Sequence, residues 1–381
     1  MFYKNKIVLA ATALFVTFGI AHAQTPIKIG VVLALTGPAA SVGIPEKNSL
    51  LLIPKSLGGH PVEVIILDDA TDTTKARKNA EKLVSEDRVD IMIAGATPIS
   101  ARAINPVAES SNTPFVALAP AGNLGAWVFQ IPFTEAQYAK TTADHMKASG
   151  VKTIAFIGYN DPYGESWAKE IVKAAEERNI KVVANERFER TATSVTAQAL
   201  KIMSSNPDAV MIGASAGPAV LPQATLVGRG FKGRFYQGAG AINDEFLRLG
   251  GKDVEGALFA SSPLPALDQL PAGSQQKESG MKLKALYETA YGTGTLTNFS
   301  AYAWDALQVV TAATQKVLTS AAKPKPGTPE FRKAIRDALE QARDVRGALG
   351  TVAFSPTNHL AYDGSSLIVI TVRDRHFALA Q

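Results

Sequence analysis

The chain has 381 residues, with 39 Lys and Arg against 34 Asp and Glu, 46% hydrophobic residues and no cysteine. That length exceeds one compact core and suits two domains, while the missing cysteines exclude a disulfide framework and any thiol that could carry a lipid. The positive excess is dispersed through mixed-sign runs such as KARKNAEKLVSEDR, so no basic stripe marks a nucleic-acid partner.

At the N-terminus, Lys4 and Lys6 precede a 14-residue apolar run, Ile7 to Ile20, and the small-residue stretch Ala21-His22-Ala23. The run falls short of the roughly 20 residues a membrane-spanning helix needs. Charged start, short apolar segment and small residues together predict a secretory signal peptide over residues 1–23, cleaved to leave a chain beginning at Gln24. Loss of Lys4 and Lys6 leaves 37 basic against 34 acidic residues, a charge of about +3. With no lipid-carrying cysteine, retention behind an outer membrane, in the periplasm, is the expected location.

From Ile27 onward, short β-branched runs alternate with amphipathic helical ones. IKIGVVLAL, VEVIILD, DIMIAG and PFVALA read as buried strands, and TTKARKNAEKLV places Ala76, Ala80, Leu83 and Val84 on one helical face. A second series runs TIAFIGY, the helix ESWAKEIVKAAEER, IKVVANERF, the helix SVTAQALKIMSS, DAVMIGA, a helix from Pro218, then RFYQG. Residues from about Met281 to Ala342 read as helix after helix, including AYAWDALQVVTAATQKVL and PEFRKAIRDALEQA, and strand-like pieces around Val352 and in SLIVITVR close the chain. The pattern predicts an α/β fold of two Rossmann-like lobes with parallel sheets. The first lobe is expected from residues 24–133 and 263–342, the second from 134–262 and 343–381. Three crossings, near Trp127–Thr134, Phe259–Pro265 and Arg343–Gly350, would form a hinge, with the ligand cleft between lobes.

In open parallel sheets, ligands sit beyond the carboxyl ends of strands, against helix N-termini whose free N–H groups favour anions. Two loops of the first series fit: Ala96-Thr97-Pro98-Ile99-Ser100 after DIMIAG, with a hydroxyl cap before a first-turn proline, and Pro120-Ala121-Gly122-Asn123 after PFVALA. Both offer N–H and hydroxyl donors to a carboxylate. Ordinary caps and turns would look the same.

IKIGVVLALTGPAASVG, LDDATD, TPFVALAPAG, DPYGES, FLRLGGKDVEGALF and NFSAYAWDA, in that order along nearly the whole chain after the leader, resemble the periplasmic leucine/isoleucine/valine-binding proteins and the wider family of ABC-importer receptors. The resemblance implies a type I periplasmic binding fold with a three-strand hinge, closing around one small solute and delivering it to an inner-membrane permease, without cofactor, metal or catalysis and as a monomer. It places carboxylate-binding loops at Thr97, Pro98 and Ser100 and at Ala121, Gly122 and Asn123. Tyr163 would pack on the ligand from the second lobe, and Val42 stands where amino-acid receptors often carry an aromatic. Amino-acid receptors of the family hold the ligand ammonium with a second-lobe carboxylate and a tyrosine. The corresponding loops here, GASAGP with Ser215 and GAGAIN with Gly240, carry neither before Asp244. A buried ammonium without a counter-charge costs several kcal/mol. The resemblance with this departure points to a non-amino carboxylate, aromatic or branched, with a branched-chain amino acid as the alternative should Asp161, Glu165 or water complete the site.

Competing motifs are weaker. GASAG matches the G-x-S-x-G nucleophile elbow and makes Ser215 a hydrolase candidate, with Asp344 and His359 as conceivable partners, but no HGGG-like loop accompanies it. GRGFKG follows a helix and precedes a strand, the reverse of a dinucleotide fingerprint. The four scattered histidines after the leader, His60, His145, His359 and His376, and the Asp68, Asp69 and Asp72 group match no metal-binding spacing, and the three aspartates read as a strand end and helix cap.

Overall fold

The computed structural model describes residues 24–215 and 217–380; the expected leader over 1–23 lies outside them. Eight elements open the chain: β1 (Ile27–Leu33), α1 (Ala40–Leu50), β2 (Ser56–Leu57), β3 (His60–Asp68), α2 (Thr73–Ser85), β4 (Ile91–Ala94), α3 (Pro98–Ser111) and β5 (Phe115–Ala117). With β6 (Val128–Gln130) they form a six-stranded sheet of order β2-β3-β1-β4-β5-β6, parallel except at the β2–β3 hairpin. Val31, Val32, Ile93 and Val116 are fully buried, as strands covered on both faces require.

The second series comprises α4 (Glu135–Ala148), β7 (Thr153–Tyr159), α5 (Pro162–Glu176), β8 (Lys181–Phe188), α6 (Thr196–Ser204), β9 (Ala209–Gly213), α7 (Val220–Gly228), β10 (Arg234–Gln237), α8 (Asp244–Gly250) and β11 (Leu258–Ser261). The chain continues through α9 (Gln275–Tyr291), α10 (Asn298–Leu318), α11 (Pro329–Glu340), β12 (Val345–Arg346), β13 (Thr351–Val352), β14 (Ile368–Arg373) and β15 (His376–Leu379). A seven-stranded sheet takes the order β15-β14-β11-β10-β9-β7-β8, its last two strands antiparallel. Helix α10 packs on α1, against the first sheet's side of the molecule, whereas α4 packs on α5, β11 and β14.

Three helices, α1, α4 and the short α8, escaped the reading of the sequence. α1 contains Gly43 and Pro45 and lacks a side-chain cap, so its local signal is poor. α4 starts with a full capping box: the Thr134 hydroxyl accepts from Gln137 N–H, and the Gln137 side chain accepts from Thr134 N–H at 2.8 Å. Between Arg343 and Gly350, where a plain crossing was expected, β12 pairs with β13 in a short antiparallel ladder, and Leu360 then bridges Gln130 of β6.

Asp305 of α10 fastens this region. Its buried carboxylate accepts from Ala348 N–H at 2.5 Å, Leu349 N–H at 3.0 Å and the Tyr362 hydroxyl at 2.5 Å. Gly347 comes so close that an added Cβ would lie 2.5 Å from that carboxyl group, which leaves only glycine there. Burial, outweighing these hydrogen bonds, pushes Asp305 up to about 6.

Candidate functional site

Strand order reverses beside β1 in the first sheet, between β3 and β4, and beside β7 in the second, between β8 and β9. Loops leaving β1 and β4, or β7 and β9, therefore diverge to opposite faces and open a crevice at each sheet's carboxyl edge. Val42 lies in the first turns after β1, and Thr97, Pro98 and Ser100 follow β4. Tyr163 follows β7 and Ser215 follows β9, while Ala121, Gly122 and Asn123 follow β5 and Gly240 follows β10, each one strand further out.

On the first sheet, Thr97 caps α3, accepting from Ser100 N–H at 3.3 Å, with Pro98 exposed at the first helical position. The hydroxyl hydrogens run inward: Thr97 donates to Ser100 Oγ at 3.2 Å, and Ser100 donates to the buried Asp69 carboxylate at 2.7 Å. Both hydroxyls thus spend their protons inside the fold. The Ala121 N–H, expected as a ligand donor, is also engaged, by Gln130 Oε1 at 3.1 Å. Asn105 holds the Ala121 and Asn123 carbonyls, each at 2.9 Å. Gly122, at φ +84°, and Asn123 line a groove of about 880 Å³ with Arg102, Gln130, Thr134 and Arg336. Val42 is half-buried against the core.

The aspartates behave as a strand end. Asp68 is opposed by desolvation but held at about 2 by donors from Thr36, Ala70 and Leu35. Asp72 caps α2. Beneath them lies a group the sequence reading missed: Glu46 of α1 is fully buried, and neither carboxylate oxygen has a protein hydrogen-bond partner. Burial, and then the neighbouring Asp69 charge, raise its pKa well above the ordinary carboxylate value.

On the second sheet, Asp161 caps α5 by accepting from Tyr163 and Gly164 N–H. Tyr163 points its hydroxyl at the β10 loop, where a Cβ on Gly240 would lie 2.8 Å from that oxygen and 2.7 Å from Ser215 Cβ. Gly240, Ser215 and Tyr163 are thereby brought together in one wall. Arg190, just past β8, joins them: its guanidinium lies 4.1 Å from the Tyr159 ring centroid and 5.8 Å from that of Tyr163, pairs with Asp161, and reaches Ser215 Oγ at 3.4 Å. Glu165 pairs with Arg187. Both acids named as substitutes for the missing ammonium partner are thus already paired.

Ser215 has Arg190, not an imidazole, as its side-chain partner. His359 stacks on Phe129 at 4.1 Å and bonds Val128 O and Glu340, and His376 bonds Asp374 O.

Tyrosines join the two sides. Tyr138 of α4 and Tyr302 of α10 bring their hydroxyls to 3.3 Å. Burial raises Tyr138 and Tyr163 and pushes Tyr302 up to about 12, and the charge of Glu135 at the start of α4 raises all three further. Glu135, half-buried, forms no ion pair among the described residues.

This paired-crevice architecture coincides with a sequence match to the periplasmic binding proteins over residues 26–373. The chain belongs to the periplasmic binding protein family. It is 24% identical to a Leu/Ile/Val-binding protein homolog of Brucella melitensis, over 94% of this chain and 95% of that protein. An extracellular ligand-binding receptor from Rhodopseudomonas palustris has 37% identity and a TM-score of 0.84, covering 94% of this chain and all of that one. The fold also matches the branched-chain amino acid transporter substrate-binding protein LivJ of Streptococcus pneumoniae, solved in complex with isoleucine, at 20% identity and a TM-score of 0.73, over 93% of this chain and 99% of that one. Among the described residues of this periplasmic binding protein, no helix is long and apolar enough to cross a membrane, and no group of metal-ligating side chains gathers.

Proposed function

We propose that this chain is the receptor of an ABC importer. It would be exported by its leader to the periplasm, work there as a monomer without catalysis, capture a small carboxylate lacking an amine, and present it to an inner-membrane permease. In this reading the lobes are residues 24–133 with 263–342 and 134–262 with 343–381, which close about the three crossings. The observation that carries the solute class is the second-lobe wall. Gly240 is packed against Ser215 and Tyr163 with no room for an acid side chain, the Arg190 guanidinium reaches Ser215 Oγ, and the acid beside it, Asp161, is already paired with Arg190 and with the first N–H groups of α5. Such a wall repels an ammonium and accepts an anion or a neutral apolar body. On the first lobe, the Ile99 N–H in the opening turn of α3 and the Gly122–Asn123 loop remain as donors for the carboxylate.

One observation favours a second reading, an amino acid. Glu135 lies near the hydroxyls of Tyr138, Tyr163 and Tyr302 and is free to meet an ammonium. Thermal shifts separate the two. Leucine is compared with 4-methyl-2-oxopentanoate, and phenylalanine with benzoate and phenylpyruvate. A solute at a hundred times its dissociation constant adds about 2.7 kcal/mol, a rise of several degrees. Shifts by the amine-free acids alone support the first reading. A larger shift by an amino acid, lost in Glu135→Gln, replaces it with the second.

A further inference from the structure

Arg190 has more capacity than its neighbours use. The residue stands at the start of the loop that leaves β8, two positions past Phe188, with its side chain half-exposed. Its Nε pairs with Asp161, which is fixed in turn by the Tyr163 and Gly164 N–H groups. The Tyr159 ring at 4.1 Å lies against its guanidinium, and that ring is itself held because the Tyr159 hydroxyl donates to Ser215 O at 2.8 Å. One terminal nitrogen reaches Ser215 Oγ, and the other has no hydrogen-bond partner among the described residues. A guanidinium fixed by stacking and by a buttressed carboxylate, with its outer edge free beside a serine hydroxyl, is a pre-organised fork for a planar anion. The Ser215 hydroxyl accepts from Arg190 at 3.4 Å, which leaves its own proton free to serve as a third donor.

We infer that Arg190 and Ser215 form a second anion subsite on the wall facing the α3 and Gly122–Asn123 loops, and that the solute is a dicarboxylate. One carboxylate would meet the first-lobe N–H groups, the other the Arg190 fork, and the carbon skeleton between them Tyr163 and the small β10 loop. This rests on the carboxylate reading above and narrows it. Arg190 is therefore a specificity-determining residue, and Asp161 and Tyr159 position it.

The test uses protein purified from the periplasm after expression of the full chain. Calorimetry is run on matched pairs: terephthalate with benzoate, and adipate and glutarate with hexanoate and pentanoate. The expected result is that at least one diacid binds tenfold or more tighter than its monoacid, about 1.4 kcal/mol. Arg190→Gln should weaken the diacid tenfold or more and erase its advantage over the monoacid. Arg190→Lys retains the charge beside Asp161 but not the fork, and should restore only part of the preference. Asp161 keeps its cap bonds in both variants, and a melting curve checks their fold. Equal binding of mono- and diacids in the wild type, or a diacid preference that survives Arg190→Gln, overturns the inference and leaves the carboxylate reading standing. Binding of amino acids but no acid of either series overturns both.

Discussion

Asp305 lets the pH dependence of stability be worked out from one side chain. Its folded-state value of about 6 lies above the ordinary 3.8, so between these values the folded chain holds a proton that the unfolded chain has released. Stability must therefore fall as pH rises through the window from about 4 to about 6. The shift corresponds to about 3 kcal/mol, absent below both values and fully expressed at neutral pH. Three donors converge on the carboxylate. They limit the rise caused by burial without reversing it.

The matching variant is Asp305→Asn, which keeps the shape and cannot titrate. Its amide would turn an N–H toward groups that are already donors, costing about 1–3 kcal/mol at pH 4, where the wild-type residue is protonated. Urea unfolding of both proteins at intervals from pH 4 to 7 isolates this group from the other carboxylates. The wild type should begin ahead and lose about 3 kcal/mol relative to the variant by pH 7, so that the two converge or cross. A difference in unfolding free energy that stays constant over this range would refute the reasoning.

Glu46 obeys the same sign, its folded-state value being raised. Glu46→Met removes two buried oxygens without partners and should raise stability at pH 7 by about 1–3 kcal/mol, measured by denaturant midpoint. Gly240→Ala puts a methyl within 2.8 Å of Tyr163 Oη and Ser215 Cβ. It should cost about 1–3 kcal/mol and weaken solute binding in calorimetry, whereas alanine at Gly228, with open space around it, should not affect binding. Thr134→Ala opens the capping box of α4 and should lower stability by about 1 kcal/mol in the same unfolding assay.

The strands and the loops after them were legible because buried parallel strands are continuous β-branched runs, and their order fixes which loops flank a crevice. Thr97 followed from that grammar, whereas Tyr163 and Ser215 were named through the family resemblance. The direction of their protons followed from neither. Ser100 donates inward because Asp69, thirty-one positions earlier, is buried under it, and the Ala121 N–H is claimed by Gln130 from the neighbouring strand. Such pairings depend on register between strands, which local pattern does not encode. Glu46 was hidden in a helix whose glycine and proline mask it, although the Thr134-x-x-Gln137 box could have disclosed α4, with Glu135 and Tyr138 on it.

Arg190 shows why the electrostatic character of the site cannot be read loop by loop. In NERFERTATS it is one charge among several at the end of an edge strand and in the loop after it, with the look of a solvated surface. Topology carries it from the end of β8, past β7, to the residue that follows β9, and Tyr159 and Asp161 hold it there. A sequence comparison limited to the Ser215 and Gly240 loops registers only the loss of an acid. On the carboxylate reading proposed above, the fold adds a cation at the same wall, and the two features would act in one direction: the missing anion would lower the affinity for an ammonium, and the guanidinium beside Ser215 would raise the affinity for a carboxylate. Restoring an acid at position 240 alone would consequently not recreate an amino-acid site: its Cβ would already crowd Ser215 Cβ and Tyr163 Oη, and the Arg190 guanidinium would still stand beside Ser215.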